Sequence, residues 1–312
     1  MSGLQLLMYL AVVVFVVGTA YKMLKISRMP QHLRWDLYPI PHERGKADYG
    51  GSYFEETDWW TKPANFSLFS EIKEMAKEIV FIQSMFHNNR SLWVFSFPFH
   101  FGLYLSVGFV GLLIIGSIMN LAGAAVTATA AGLAGLIYSA TIIVGLVGAV
   151  LVAFGAVGLF FSRLGKHELR AASVWTDYFN LLLLAAIGGT TLALGLSADS
   201  GFGQTRAFVT GLVSFGNAGV TGGVITAHII LASAFMLWLP LTHMTHFVGK
   251  YFTYHKVRWE DHPNVRGGKV EAAINEALGY KITWSASHIK SGGTWAEAAT
   301  ATDKKEVGKD EN

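Results

Sequence analysis

From residue 92 to residue 252 the sequence carries eight charged side chains: Arg163, Lys166, Glu168, Arg170, Asp177, Asp199, Arg206 and Lys250. The rest of the 24 basic and 21 acidic residues lie outside that block. A soluble domain makes roughly a quarter of its residues charged. A block this poor in charge cannot cover itself for water. The expectation is an all-α integral membrane protein with polar appendages, not a cytosolic enzyme.

Two further classes fall away. Cysteine is absent, which excludes disulfides, cysteine-ligated iron–sulfur clusters and a CxxCH haem attachment in this chain. The formal net charge of +3, without a basic cluster beside aromatics, gives no footprint for nucleic acid.

A membrane span needs about 20 mostly apolar residues. Five runs qualify: Leu4 to Ala20, reaching toward Leu24, then 92–119, 132–162, 174–197 and 224–249. The first could be taken for a signal peptide because Gly18-Thr19-Ala20 looks like a cleavage site. Its basic residues (Lys22, Lys25, Arg28) follow the apolar run instead of preceding it, so a retained helix is the expectation. Orientation follows from basic residues, which stay on the cytoplasmic side. Ten lie between residues 22 and 90, three between spans three and four, and ten from Lys250 onward; Arg206 alone falls on the other side. The N-terminus is therefore expected outside and the C-terminus in the cytoplasm, in a multi-pass protein of the cell inner membrane.

The resulting organisation is a first transmembrane helix (1–24), a cytoplasmic loop with an amphipathic helix (25–91), a four-helix transmembrane bundle (92–252) and a cytoplasmic tail (253–312). Residues 25–67 are rich in aromatics, Pro and Gly (Trp35, Tyr38, Pro39, Pro41, Trp59, Trp60), which reads as an ordered irregular loop. Over 68–86, Leu68, Phe69, Ile72, Met75, Ile79, Ile82 and Phe86 recur at helical spacing between charged residues. That predicts an amphipathic helix on the membrane surface or under a partner.

Ionisable residues inside spans are costly and are functional candidates by default. Four histidines fall in spans: His100 in the second, and His228, His243 and His246 in the fifth. His228 and His246, 18 residues apart, are five whole helical turns from each other, which predicts that both project from one face, separated by about 27 Å. His100 enters from the cytoplasmic side by about 13 Å and His246 leaves on that side, so depth would let the two imidazoles share a b-type haem between antiparallel helices. The plainer reading of any such histidine is a hydrogen bond to a neighbouring helix; for His228 both readings stay open. His243, near the cytoplasmic end, suits a contact to a haem propionate. Gly145, Gly148, Gly155 and Gly158 make one face of span three without side chains. Close helix packing is the default reading, and room for a haem edge is the alternative; Gly108 and Gly111 of span two are similar.

Phe99-His100-Phe101-Gly102 in span two, with His228, Leu239-Pro240-Leu241 and His246 in span five, resembles the cytochrome b (gamma) subunit of respiratory nitrate reductase. More closely, the chain is similar to gamma-like membrane subunits of sulfate-reducer redox complexes. The tail segment Thr283-Trp284-Ser285-Ala286-Ser287-His288-Ile289, followed by Gly293-Thr294-Trp295-Ala296-Glu297, belongs to that likeness. The resemblance covers residues 68–250. It implies an inner haem b on His100 and His246, with Arg170 (seven residues before Asp177) able to hold a propionate. It also implies an outer haem at His228, but the position of its second ligand is Val110 here. His228 then finds another axial partner, serves a quinone, or sits by an outer haem that is five-coordinate or absent.

The implied function is a quinone-linked oxidoreductase subunit acting within a respiratory complex. Its redox partner in the bilayer would be menaquinol or menaquinone, near His228 and under the outer loop 198–223. Its partners in water would be a cytoplasmic heterodisulfide-reductase-like iron–sulfur subunit and, on the outer side, a multihaem cytochrome c. The competing expectation is a haem-free membrane anchor or transport subunit. Broken paired halves would mark a transporter, and five spans without internal repeat do not show them.

Overall fold

The computed structural model describes residues 2–29, 43, 45–46, 49, 51–63, 65–259, 264–287 and 289–301. Trp35, Tyr38, Pro39 and Pro41 of the aromatic loop, His288 of the tail motif and the charged end from Asp303 lie outside them. Among the described residues the chain is helical and forms no strand, only isolated bridges. Five helices are long and apolar enough to cross a membrane: Gly3–Ser27, Arg90–Leu121, Gly132–Gly165, Trp175–Ala198 and Gly223–Leu241. Their lipid-ready surfaces are Val, Leu, Ile and Phe left exposed in the isolated chain. This is a multi-pass membrane protein.

The chain divides into two compact units. The first joins residues 1–22 to 69–245 and holds most of the spans. Its helices are α1 (Gly3–Ser27, up to Lys22), α2 (Leu68–Phe81, from Phe69), α3 (Gln83–Asn88), α4 (Arg90–Leu121), α5 (Gly132–Gly165), α6 (His167–Ala171), α7 (Trp175–Ala193), α8 (Gly203–Val213) and α9 (Gly223–Trp238). Helix α4 packs on α5, α5 on α7, and α7 on α9; α8 closes over α4 at the opposite end of the bundle from α6.

Glycine sets the α4–α5 approach. A Cβ on Gly155 would stand 2.6 Å from the backbone nitrogen of Phe99, and one on Gly102 would stand 2.7 Å from that of Val152. Gly148 meets Leu105 and the carbonyl of Gly102; Gly145 meets the ring of Phe109. The glycine face of span three is therefore filled by α4, as its packing reading expected, and leaves no room for a haem edge there. Gly188 of α7 makes the same kind of approach to Ala149 and Ala153 of α5. Gly111 has nothing within 4 Å. Without a hydrophobic drive between helices in lipid, such close backbone contact is what holds them together.

Helix α1 is tied in by polar side chains. Gln5, fully buried, donates to the Gly216 carbonyl (2.9 Å) and accepts from the backbone of Ser2 and Ala218. Tyr9 donates to the Leu212 carbonyl, and Lys22 donates to the Thr242 carbonyl and Thr245 Oγ1. The N-terminal end of α1 thus lies at the α8 end of the bundle and Lys22 at the α6 end.

Two expectations change. The amphipathic helix stops at Phe81, because Ile82 adopts a left-handed φ of 50° before α3 begins. Its last carbonyls are taken by α4 instead: Trp93 Nε1 donates to Phe81 O (2.8 Å) and Tyr104 to Ile79 O (2.6 Å). Phe69, Ile72 and Phe81 of α2 stay exposed. The fifth span is also not one helix. After Trp238 it tightens into 3₁₀ turns at Leu239–Leu241 and His243–Thr245, with extended Thr242 between them, and α10 (His246–Phe252) follows. Pro240 has no N–H and its ring crowds the turn before it. The turn count from His228 to His246 therefore crosses two breaks in the helix.

The second unit joins residues 23–68 to 246–312. It contains α10, a π-helical continuation at Thr253–Arg258, α11 (Lys269–Leu278) and α12 (Trp295–Thr300). Trp259 is its largest buried side chain, edge-on to Tyr254 at 4.8 Å. Lys256 donates to the Ser27 and Met29 carbonyls. The tail turns on Ile282, whose backbone exchanges hydrogen bonds with Gly292 and Gly293, and α12 starts on a Thr294–Glu297 capping box.

Candidate haem and polar sites

His100 follows buried Phe99, which meets α5, and lies one turn from Tyr104, whose hydroxyl reaches α2. Its Nδ1 is 2.8 Å from the Ser96 carbonyl. A carbonyl only accepts, so Nδ1 carries the proton and Nε2 is the basic nitrogen. That is the tautomer and the supporting bond found on metal-ligating histidines. The imidazole therefore fits an axial haem position on donor chemistry. Among the described residues no cluster of three or more His, Cys, Asp or Glu could hold a bare metal ion; a haem iron brings four nitrogens of its own and asks the chain for one or two.

His228, on α9, hydrogen-bonds Thr190 of α7 through Nδ1 at 2.9 Å. The Thr190 hydroxyl also lies 2.9 Å from the Ala186 carbonyl. This is the helix-to-helix contact that the plainer reading expected. His246 belongs to the second unit, at the exposed start of α10. His100 and His228 sit on α4 and α9, whose buried residues Phe109, Leu113, Ile225 and Ile229 share one apolar cluster.

His243 is drawn into a cluster that the sequence did not announce. Its Nε2 lies 3.2 Å from Asp177 Oδ1, and the other Asp177 oxygen caps α7 through the Val174 N–H (2.9 Å) with Arg163 Nη1 at 3.8 Å. Arg163 also donates to Ser173 Oγ at 2.7 Å. Asp177 is the hub and the most shielded of the three, at 11% side-chain exposure against 32% for Arg163 and 60% for His243. Arg170 is exposed and donates to the Leu164 carbonyl at the end of α5. Next along α7, Asn180 Oδ1 accepts from Trp238 Nε1 (2.8 Å), which locks α7 to α9. Replacing Asp177 with Ala should cost about 1–2 kcal/mol by loss of the cap, measured by denaturant unfolding of the purified protein. An unchanged midpoint would remove Asp177 from that role.

The loop 198–223 contains a helix that its glycines hid. Asp199 accepts from Gln204 N, Thr205 N and Thr205 Oγ1 and so starts α8. Phe202 holds a left-handed φ of 55°, a strained setting for an aromatic residue. Its ring is fully buried against Phe109, with centroids 4.8 Å apart. Asp199 just before Phe202, Thr205, Arg206 and Val209 at helical spacing was the available signal. No family model, curated protein or solved structure matches the chain.

Proposed function

We propose that the chain is a membrane cytochrome b subunit that relays electrons between menaquinol or menaquinone in the bilayer and an iron–sulfur protein in the cytoplasm. The observation that carries this reading is His100, held with Nδ1 on the Ser96 carbonyl and Nε2 as the base, within an apolar span. A haem held there would supply one-electron transfer within the span. The chain's own work is to fix that ring, exclude water with the aromatic and aliphatic residues of α4, and hold the helices by their glycine contacts. His246 is the second axial ligand on the depth argument from the sequence. Arg170 and His243 are the groups proposed for the propionate side. His228 with Thr190 is proposed for the quinone end, with a cytochrome c partner beyond it.

The full-length protein purified from membranes should be red, with a dithionite-reduced b-type spectrum, and His100→Ala should remove the inner-haem signal while leaving the helical content unchanged. His246→Ala should do the same. Counting haem per chain then separates one centre from two. A colourless, folded protein would leave the anchor reading, which the helix-to-helix bond of His228 favours.

A further inference from the structure

Beneath the short loop 122–131, where α4 ends and α5 begins, a cavity of about 420 Å³ is lined by Asn120, Val126, Thr127, Gly203, Arg206 and Ala207, with Gly123 and Ala125 at its edge. Arg206 is its one charged lining residue. It is 3% exposed. The guanidinium reaches the Val126 carbonyl (3.2 Å) and, at 3.5 Å, the Gly201 carbonyl, and it lies over the Tyr138 ring. Its Nε has no partner and rests where Gly116 lacks a side chain.

Buried cations are normally paired, because removing a full charge from water costs far more than neutral carbonyls return. Arg206 forms no ion pair among the described residues. The nearest acid to consider is Asp199, whose two oxygens are engaged by Gln204, Thr205 and the start of α8. One carboxylate is thus shared between a helix N-terminus and a guanidinium that it does not touch, so a positive charge is left over beside the cavity. The rim is small and uncharged: Gly123, Ala125, Thr127, Gly203 and Ala207 are all exposed. The cavity also lies at the ends of two helices long and apolar enough to cross a membrane, where a lipid headgroup would be within reach.

We propose that this cavity binds a phosphate-bearing ligand through Arg206. A planar guanidinium is the side chain suited to phosphate oxygens. The phosphate could be carried by a lipid headgroup or be free in solution, and the test separates the two. The site is independent of any haem.

The full-length protein in detergent would be titrated with phosphatidylglycerol, phosphatidylcholine or inorganic phosphate, with native mass spectrometry and thermal unfolding as readouts. One phosphatidylglycerol retained per chain with a raised Tm, and no effect of inorganic phosphate, assigns a lipid headgroup. Protection by inorganic phosphate assigns a free anion. In either case Arg206→Gln should weaken retention about tenfold or more, the loss of one charge-assisted contact. Ala207→Trp, at the exposed mouth, should weaken it equally while leaving the guanidinium in place, and it serves where Arg206→Gln does not fold. No protection by any phosphate compound, or equal retention by the wild type and the Ala207→Trp variant, would overturn the proposal.

Discussion

Gly155→Ala should be less stable than Gly111→Ala by about 1–3 kcal/mol, although the two changes are chemically the same and lie in neighbouring spans. Each replaces a helical glycine and gains up to about 1 kcal/mol of helix propensity. At Gly111 nothing lies within 4 Å, so that gain is kept. At Gly155 the new methyl would stand 2.6 Å from Phe99 N and 2.7 Å from Phe95 O, which are backbone atoms of α4 and cannot rotate aside. The helices must part, and the contacts around Phe99, Val152 and Ala156 in the same cluster weaken with them. Unfolding of both variants in mixed detergent micelles measures the difference. Equal midpoints would mean that α4 and α5 do not approach at their glycines. Because His100 follows Phe99 directly, the same variant should also disturb any haem signal, which makes the order of tests important: stability first, spectrum second.

Gln5→Leu is expected to detach the start of α1. Leucine has nearly the same volume but neither donor nor acceptor. It would leave the Ala218 N–H and the Gly216 carbonyl without the partner they have now, at about 1–3 kcal/mol for each stranded group. These groups lie in the turn between α8 and α9, so the loss would appear both in the unfolding midpoint and as faster proteolysis at residues 214–222. A variant with wild-type stability and protection would show that α1 is held by its apolar surface alone.

The turn count along the fifth span crosses an identifiable break. It treated residues 224–249 as one helix and counted turns across Pro240. The proline is visible in the sequence, within Leu239-Pro240-Leu241. What was not visible is that the chain leaves the helix twice, at Leu239 and again at Thr242, before resuming at His246. Periodicity carries no information past a break whose angle is set by neighbours. For the same reason the Asp177 cluster could not be foreseen. Its members are separated by up to 80 residues, and only the packing of α5, α7 and the turn after α9 brings Arg163, Asp177 and His243 together. Glycine gave a more reliable signal, because a face with no side chains has one simple use in lipid, and α4 takes it.

The sequence by itself determined that this chain is helical and crosses a membrane, and it located four of the five spans to within a few residues, because twenty apolar residues in a row have no other stable setting. It also named the histidines worth testing. The tertiary structure decided which polar side chains meet. It put His228 on Thr190, His243 on Asp177 and Arg206 beneath a loop eighty residues away. Hydrophobicity acts on each segment alone, whereas a hydrogen bond between segments depends on the relative position of both.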